Sequence, residues 1–404
     1  MEKNDTSPGE RYTPVTETRF YTFGDAKNPF VLTSGKTLFP ITIAYETYGD
    51  PKNKHRAILV LHALTGDAHA AGYTREETEK AREEGREPKP GWWHTMIGPG
   101  KPIDTDTFFV ICSNVLGGCR GTTGPSSIDP ASGRPYGSLF PAITLRDMVN
   151  AQARLMDFLG IEKIFCIIGG SMGGIQALEW AISRPDRVRS VIPIACTVRH
   201  SAQNIAFYEV GRHAITSDLG YDGGDYYESE GPHRGLAMAR MMAHITYMSE
   251  KSLQERFARR LQIHEASPED EDFPQFQVNS YLMHQGSSFV DRFDANSYIV
   301  ITRALDYYDI SADFEDDLSQ AFSGVDAEFL VISFSSDWHY PSRDSKTIVN
   351  ALRANDIDVT YSDISTDWGH DSFLIKEVID GKLGPLVHSF LNNLDRELAD
   401  ANHA

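Results

Sequence analysis

The apolar residues of this chain fall into short continuous runs that alternate with amphipathic stretches of helical period. Each run has the length and the β-branched content of a strand buried on both faces of a sheet. The runs cover residues 57–61, 108–112, 165–168, 190–195, 329–334 and 359–361. A further stretch, 41–48, alternates apolar and polar residues and is typical of a strand near the edge of a sheet. Strands that alternate with helices predict an α/β protein with an open, mainly parallel, doubly wound sheet.

The sequence predicts both ends of one helix, which begins after Thr144. Thr144 is the predicted N-cap, with Asp147 at the third helical position and apolar residues at helical spacing behind it. Gly160 is the predicted stop. A last amphipathic helix, over 386–394, is expected to close the core.

The texture of the sequence changes between residues 197 and 322, where helical periodicity dominates and buried-strand runs disappear. Helices are predicted over residues 202–215, 236–248, 253–261 and 289–306. We therefore expect an α/β core formed by 1–196 and 323–404, with a helical lid insertion over 197–322.

Four glycines surround Ser171 where the buried run 165–168 gives way to a helix-forming stretch. A serine in such a turn is held in strained backbone geometry with its hydroxyl exposed, and the glycines let neighbouring elements pass close by. The pattern Gly169-x-Ser171-x-Gly173 is similar to the nucleophile elbow of the α/β-hydrolase fold. The alternative is a glycine-rich turn without chemistry, so the partners of the serine decide the interpretation.

A nucleophilic serine needs a histidine to accept its proton and a carboxylate to orient that histidine. In the α/β-hydrolase fold the order along the chain is serine, acid, histidine. Asp337 follows the run 329–334 and His370 follows the run 359–361, which places both at the carboxyl edge of the sheet. The sequence therefore predicts Ser171, Asp337 and His370 as a catalytic triad.

Four other residues compete for the roles of acid and base. Asp363 and Asp367 are rival acids, but each lies too close to the predicted base along the chain. His339 and His62 are rival bases. The first shares a loop with the predicted acid, and the second is better placed to shape a loop beside the serine.

An acyl-enzyme mechanism also needs N–H donors for the tetrahedral oxyanion. The backbone N–H of Met172, at the start of the helix after the nucleophile, is one candidate. The N–H of Leu64, in the loop after the run 57–61, is the other. A plain turn at this loop is the alternative interpretation.

Charge and composition narrow the class of partner. The chain has 404 residues, of which 41% are hydrophobic and 24% charged, and its formal net charge is −19. This negative charge argues against a nucleic-acid partner or an anionic membrane surface, and it requires that any phosphorylated substrate find a local basic pocket. No run reaches transmembrane length and no signal sequence is visible, so we expect a cytoplasmic protein.

The four cysteines, Cys112, Cys119, Cys166 and Cys196, form no CxxC pair. Three of them lie in or beside apolar strand-like runs, which is typical of small buried side chains in a reducing compartment. We therefore expect no disulfide and no metal site.

The motifs together resemble the homoserine O-acetyltransferase family, acyl-CoA-dependent acyltransferases of the α/β-hydrolase fold. The resemblance runs from about residue 40 to about residue 375 and covers most of the chain. The matching segments are 62–67, 113–117 with 124–125, 170–174 through Trp180, 201–206, 235–236 with 239–240, 336–338 and 369–371.

The resemblance implies a reaction that moves an acetyl group from acetyl-CoA to the hydroxyl of L-homoserine in methionine biosynthesis, through an acyl-serine. It implies the same triad, and adds substrate contacts from Arg240 and Asp371. Their chemistry suits a zwitterion, since a guanidinium fork pairs with its carboxylate and a carboxylate with its ammonium. It further implies a homodimer formed through the helical insertion, with acetyl-CoA as a co-substrate and no other cofactor.

His339 bears on the acyl donor. Family members that use succinyl-CoA resemble one another in having an arginine two residues after the triad aspartate, where this chain has His339. A mostly neutral imidazole lacks the permanent charge and planar fork that would hold a succinyl carboxylate, so we expect acetyl-CoA. The open alternatives are homoserine or serine O-succinyl transfer, an esterase or thioesterase with the same triad, and a non-catalytic binding protein of the same fold.

Overall fold

An eight-stranded sheet forms the centre of the protein, whose computed structural model describes residues 15–262 and 275–401. In chain order the strands are β1 (Arg19–Phe23), β2 (Ile41–Tyr48), β3 (Ala57–Leu61), β4 (Phe109–Ser113), β5 (Cys166–Gly170), β6 (Ser190–Ile194), β7 (Glu328–Phe334) and β8 (Val359–Ile364). Across the sheet their order is β1-β2-β4-β3-β5-β6-β7-β8. The pairs β1–β2 and β2–β4 are antiparallel, and every later pair is parallel. The predicted α/β-hydrolase fold is confirmed.

The structure describes twelve α-helices, some of which cover the two faces of the sheet. They are α1 (Arg75–Glu84), α2 (Leu145–Phe158), α3 (Met172–Ser183), α4 (Ala202–Thr216), α5 (His233–Tyr247), α6 (Glu250–Arg256), α7 (Gln277–Val290), α8 (Ala295–Asp306), α9 (Leu318–Ala321), α10 (Ser342–Arg353), α11 (Lys376–Val378) and α12 (Gly384–Ala401). Buried side chains of α2, α3 and α10 pack on one face, and those of α12 on the other. Among the described residues, no helix is long and apolar enough to cross a membrane.

The predicted helix start at Thr144 is confirmed. Its side chain accepts a hydrogen bond from the N–H of Asp147, and the Asp147 carboxylate accepts one from the N–H of Thr144 in return. This reciprocal pair satisfies two N–H groups that have no partner inside the helix. Gly160 follows the last turn with a φ of 70°, as a helix stop requires.

Helices α4 to α9 lie between β6 and β7, and the sequence pattern placed only part of them correctly. The single helix predicted over 289–306 is wrong. The chain ends one helix at Val290 and begins another at Ala295, because the side chain of Asp294 caps the new helix through the N–H of Ser297. The preceding helix, α7, was absent from the predicted set.

The helix predicted over 253–261 is also misplaced. It begins three residues earlier than the side-chain periodicity suggested, at Glu250, because Ser249 provides the N-cap. It ends at Arg256, and Ala258 then adopts a φ of 45°, which a helix does not allow.

Candidate active site

Ser171 occupies the tight turn between β5 and α3, with φ 57° and ψ −124°. A residue with a side chain rarely adopts this backbone, and such strain is characteristic of nucleophile elbows. The turn fits only because its neighbours lack side chains. A Cβ on Gly173 would lie 2.0 Å from the carbonyl oxygen of Leu61, and a Cβ on Gly169 would lie 2.6 Å from Gly173.

The structure brings Ser171, His370 and Asp337 into one hydrogen-bonded series. The hydroxyl of Ser171 lies 2.8 Å from Nε2 of His370, and Nδ1 of His370 lies 2.7 Å from Oδ2 of Asp337. Because a carboxylate can only accept here, Nδ1 carries the proton and Nε2 is free to accept the one from serine. The geometry provides what nucleophilic catalysis by serine requires.

Asp337 is held by the backbone that follows β7. Its Oδ1 accepts hydrogen bonds from the N–H groups of His339 and Tyr340, both at 2.9 Å. With one oxygen fixed in this way, the other is directed at His370. The side chain is buried, so this orientation is shielded from water.

The charge state of His370 depends on opposing effects. Burial lowers the pKa of His370, whereas the negative charge of Asp337, its hydrogen bond and the charge of Asp371 raise it. The net result is a pKa above the ordinary 6.5. Burial also raises the pKa of Asp371, against the opposing charges of His370 and Arg240.

The rival acids and bases have other partners. Asp363 accepts hydrogen bonds from the hydroxyls of Ser333 and Ser342, and Asp367 pairs with Lys251 at 2.6 Å. Neither contacts His370 among the described residues.

His62 uses both of its ring nitrogens within the core. Its Nδ1 donates to the carbonyl of Ala63 at 2.7 Å, and its Nε2 accepts from the N–H of Val115 at 3.2 Å. Burial lowers the pKa of His62, so the ring is neutral. It therefore anchors the loop after β3 rather than serving as a base.

The two candidate oxyanion donors lie on the loop after β3 and at the first residue of α3. Among the described residues, neither the N–H of Leu64 nor that of Met172 donates a hydrogen bond. Both residues are buried. A buried N–H group without a hydrogen-bond acceptor lowers the stability of a protein unless a ligand accepts its hydrogen bond. Two such groups at this position fit a site that binds an anion.

Arg240 and Asp371 carry opposite charges beside the triad. Nη1 of Arg240 donates to the hydroxyl of Thr65 at 3.3 Å, and its Cζ lies 5.0 Å from the ring centre of Phe289. Within the part of the chain that the structure describes, neither charge forms an ion pair within 4 Å. Both remain available to a ligand.

His339 packs against His370. Its ring centre lies 4.9 Å from that of His370 and 4.4 Å from that of Tyr340. Asn204, on α4, donates from Nδ2 to the carbonyl of His339 at 2.9 Å. Burial, followed by the nearby His370 and His200, lowers the pKa of His339 well below 6.5, so the ring is neutral.

Sequence reasoning missed a buried network beneath the triad. The hydroxyl of Tyr340 lies 2.7 Å from Nε2 of His200, whose Nδ1 lies 2.9 Å from Asp306, and Asp306 pairs with Arg212 at 2.7 Å. The network joins α4 and α8 to the loop that holds Asp337. No local sequence motif predicts this network, because its four residues are widely separated along the chain.

A strained serine at the strand-to-helix turn, with a histidine and an aspartate from later strands, defines a serine-dependent enzyme of the α/β-hydrolase class. A family model described as the alpha/beta hydrolase fold matches residues 56–374. The chain is 48% identical over 397 residues to a homoserine O-acetyltransferase of Solidesulfovibrio magneticus, covering 98% of this chain and 96% of that protein. The chain belongs to the homoserine O-acetyltransferase family of this fold.

Solved structures agree on the architecture. A homoserine O-acetyltransferase from Bacillus anthracis superimposes with a TM-score of 0.82 at 26% identity, covering 94% of this chain and 98% of that one. A solved esterase superimposes with a TM-score of 0.80 at 27% identity, covering 93% of this chain and 100% of that one. The same architecture is therefore found in a transferase and in a hydrolase. Among the described residues, no group of three or more His, Cys, Asp or Glu side chains could hold a metal ion.

The raised pKa of His370 predicts the pH dependence of acylation. Only the neutral imidazole can accept the proton of Ser171, so activity should rise with pH through the pKa of His370. We expect the acidic limb of kcat/KM for the acyl donor to lie above pH 6.5. Asp337→Asn, which removes the charge that raises this pKa, should move the limb to lower pH and lower kcat roughly 10⁴-fold.

Asp363→Asn is the matched control, since Asp363 is a neighbouring carboxylate without contact to His370. This variant should leave the limb in place. A wild-type limb at or below pH 6.5, measured with acyl donor alone, would contradict the assignment.

Proposed function

We propose that the protein transfers an acetyl group from acetyl-CoA to the γ-hydroxyl of L-homoserine through an acyl-enzyme on Ser171. The observation that carries the proposal is the position of two opposite charges, Arg240 and Asp371, which form no ion pair among the described residues and lie beside a complete serine triad. A hydrolase of simple esters has no need of such a pair. An amino-acid acceptor needs both, because it carries a carboxylate and an ammonium group.

In the first half-reaction, Oγ of Ser171 attacks the thioester carbonyl and its proton passes to Nε2 of His370. The N–H groups of Leu64 and Met172 stabilise the oxyanion. The carbon–sulfur bond then breaks, and His370 returns the proton to the leaving thiolate of CoA. The scheme needs no metal ion or prosthetic group.

In the second half-reaction, homoserine replaces CoA at the same site. Its γ-hydroxyl gives a proton to His370 and attacks the acyl carbon, while Arg240 and Asp371 hold the amino-acid head group. The bond to Ser171 breaks and Oγ recovers the proton from His370, which restores the free enzyme. One histidine thus serves both steps.

We also propose that residues 1–196 and 323–404 form the core and that residues 197–322 form a lid over the active site. Two contacts support this role: Nε1 of Trp338 donates to the carbonyl of Met248 at 2.9 Å, and a Cβ on Gly369 would lie 2.6 Å from the N atom of Ser249. The residue before His370 is thus in direct contact with the lid. A roof of this kind excludes water, which would otherwise hydrolyse the acyl-enzyme.

We also propose a homodimer formed through the lid, in the cytoplasm, where a biosynthetic reaction on acetyl-CoA would take place. Several large apolar side chains are exposed on α4, α5 and α7, which supports an interface there. They are Ile205, Val210, Met238, Ile245 and Met283. Sedimentation equilibrium tests the oligomeric state. We expect a dimer, and a monomer at micromolar concentration would contradict the proposed homodimer.

The acyl-enzyme is the first prediction of this scheme. Wild-type protein mixed with acetyl-CoA alone should gain one acetyl group on the peptide that contains Ser171, and homoserine should discharge it. Ser171→Ala should show no adduct and no turnover, with an unchanged circular dichroism spectrum. Mass spectrometry that finds the adduct on another residue, or kinetics without a partial reaction, would contradict the two-step scheme.

The acceptor contacts give a second prediction. Arg240→Ala and Asp371→Asn should lower the rate of deacylation by homoserine roughly 100-fold or more, because each loses a charged hydrogen bond to the head group. Acylation at saturating acetyl-CoA, measured at a pH above the acidic limb so that His370 is neutral, should change little, since the thioester has no such group. Arg234→Ala, an exposed arginine on the same helix, is the control. Equal losses in both half-reactions would show that the two residues have another role.

The acyl donor gives a third prediction. A buried, neutral His339 offers no cation to a succinyl carboxylate, and an unpaired buried carboxylate is costly. We expect kcat/KM with homoserine to favour acetyl-CoA over succinyl-CoA by about 100-fold or more. His339→Arg should shift this ratio towards succinyl-CoA, and His339→Leu should not. A wild-type preference for succinyl-CoA would overturn the assignment.

A further inference from the structure

Three arginines on or beside the helices α5, α6 and α7 lie near His244 and form no ion pair in the part of the chain that the structure describes. They are Arg240 on α5, Arg256 at the end of α6 and Arg292 just after α7, and we call them the arginine cluster. Among the described residues, none of them lies within 4 Å of an acidic oxygen. The chain has a formal net charge of −19, so three guanidinium groups in one place without an acidic partner among the described residues require an explanation.

Aromatic rings of one helix support the cluster. Cζ of Arg256 lies 4.6 Å from the ring centre of Tyr281, and Cζ of Arg292 lies 5.6 Å from that of Phe289, whose ring is also the one beneath Arg240. Both rings belong to α7. A guanidinium stacked on a ring keeps the N–H groups in its own plane free to bind an anion.

A series of contacts connects the cluster to the catalytic histidine. The ring of Tyr247 lies 5.6 Å from that of His370, and the ring of His244 lies 6.5 Å from that of Tyr247. The hydroxyl of Tyr281 lies 3.1 Å from Nδ1 of His244. Tyr247 and His244 are buried, Tyr281 is half-buried and Arg256 is exposed.

The positive charges of all three arginines act on one buried side chain, His244. Burial, followed by the positive charges of Arg240, Arg256 and Arg292, lowers the pKa of His244 to about 3. Its Nε2 is buried and has no hydrogen-bond partner among the described residues. Within the described ranges 15–262 and 275–401, the positive region therefore contains a buried nitrogen without a hydrogen-bond partner and guanidinium groups without an ion pair.

We propose that Arg256 and Arg292 bind the phosphate groups of the acyl-CoA donor, while Arg240 binds the carboxylate of the acceptor. This proposal rests on the proposed function. CoA carries its phosphates at the far end of a pantetheine arm, so they must lie away from Ser171 and near solvent, where Arg256 and Arg292 are exposed. Arginine is well suited to phosphate because its fork donates two parallel hydrogen bonds.

The test compares two donors that differ only in the phosphate-bearing part. Acetyl-CoA carries it, and the acetyl thioester of N-acetylcysteamine does not. Arg256→Gln and Arg292→Gln should each lower kcat/KM for acetyl-CoA roughly tenfold relative to the truncated donor, as expected for the loss of a charge-assisted hydrogen bond. The ratio of the two donors should also lose part of its dependence on salt.

Arg259→Gln is the matched control. Arg259 is exposed, lies three residues from Arg256 and also stacks on an aromatic ring, 5.4 Å from the centre of Phe276, but it is not among the charges that act on His244. Its donor ratio should equal that of wild type. Equal losses for both donors in Arg256→Gln and Arg292→Gln, or no loss, would overturn the proposal.

Direct measurement of CoA binding tests the phosphate site independently of the proposed acetyl transfer. Calorimetric titration with CoA needs no turnover, and each of the two variants should bind CoA roughly tenfold more weakly than wild type. Unchanged CoA affinity in the variants contradicts the phosphate site even if the enzyme transfers acetyl groups to homoserine. Weakened CoA binding supports the site even if homoserine proves not to be the acceptor.

Discussion

The close approach of three backbone segments at Ser171 is the constraint on which the rest of the site depends. Gly173 allows the first turn of α3 to lie against the end of β3, and Gly169 allows the elbow to fold over it. The strain at Ser171 persists because β5 is paired on both sides, with β3 and with β6. This arrangement brings the loop after β3, and with it Leu64, to the nucleophile.

The helices between β6 and β7 contact the core on two sides of the triad. Gly369 leaves no room for a side chain beneath the segment between α5 and α6, so the position of His370 depends on the position of that segment. On the other side, His200 and Asp306 connect α4 and α8 to the loop that holds Asp337. A site closed by its own insertion favours transfer over hydrolysis in the proposed scheme, although a solved esterase shares the overall architecture.

Much of this fold could be predicted from the sequence, because buried strands and helix caps are local signals. The run 57–61 coincides with β3, and Thr144 begins its helix as predicted. The break before Ala295 was missed because apolar spacing continues across it while a single aspartate side chain decides the boundary. The phosphate-binding role proposed for Arg256 and Arg292 depends on which carboxylates lie near them in space, which spacing along a chain does not reveal.

The central claim is that the acyl group passes to an amino acid rather than to water, and the partition of products tests it most directly. Acetyl-CoA is supplied with wild-type protein in homoserine at a saturating level, and the released CoA is compared with O-acetylhomoserine and free acetate. The proposed scheme predicts one O-acetylhomoserine for nearly every CoA, with acetate as a minor product. Acetate as the main product, with homoserine present, would make the protein a thioesterase and contradict the scheme.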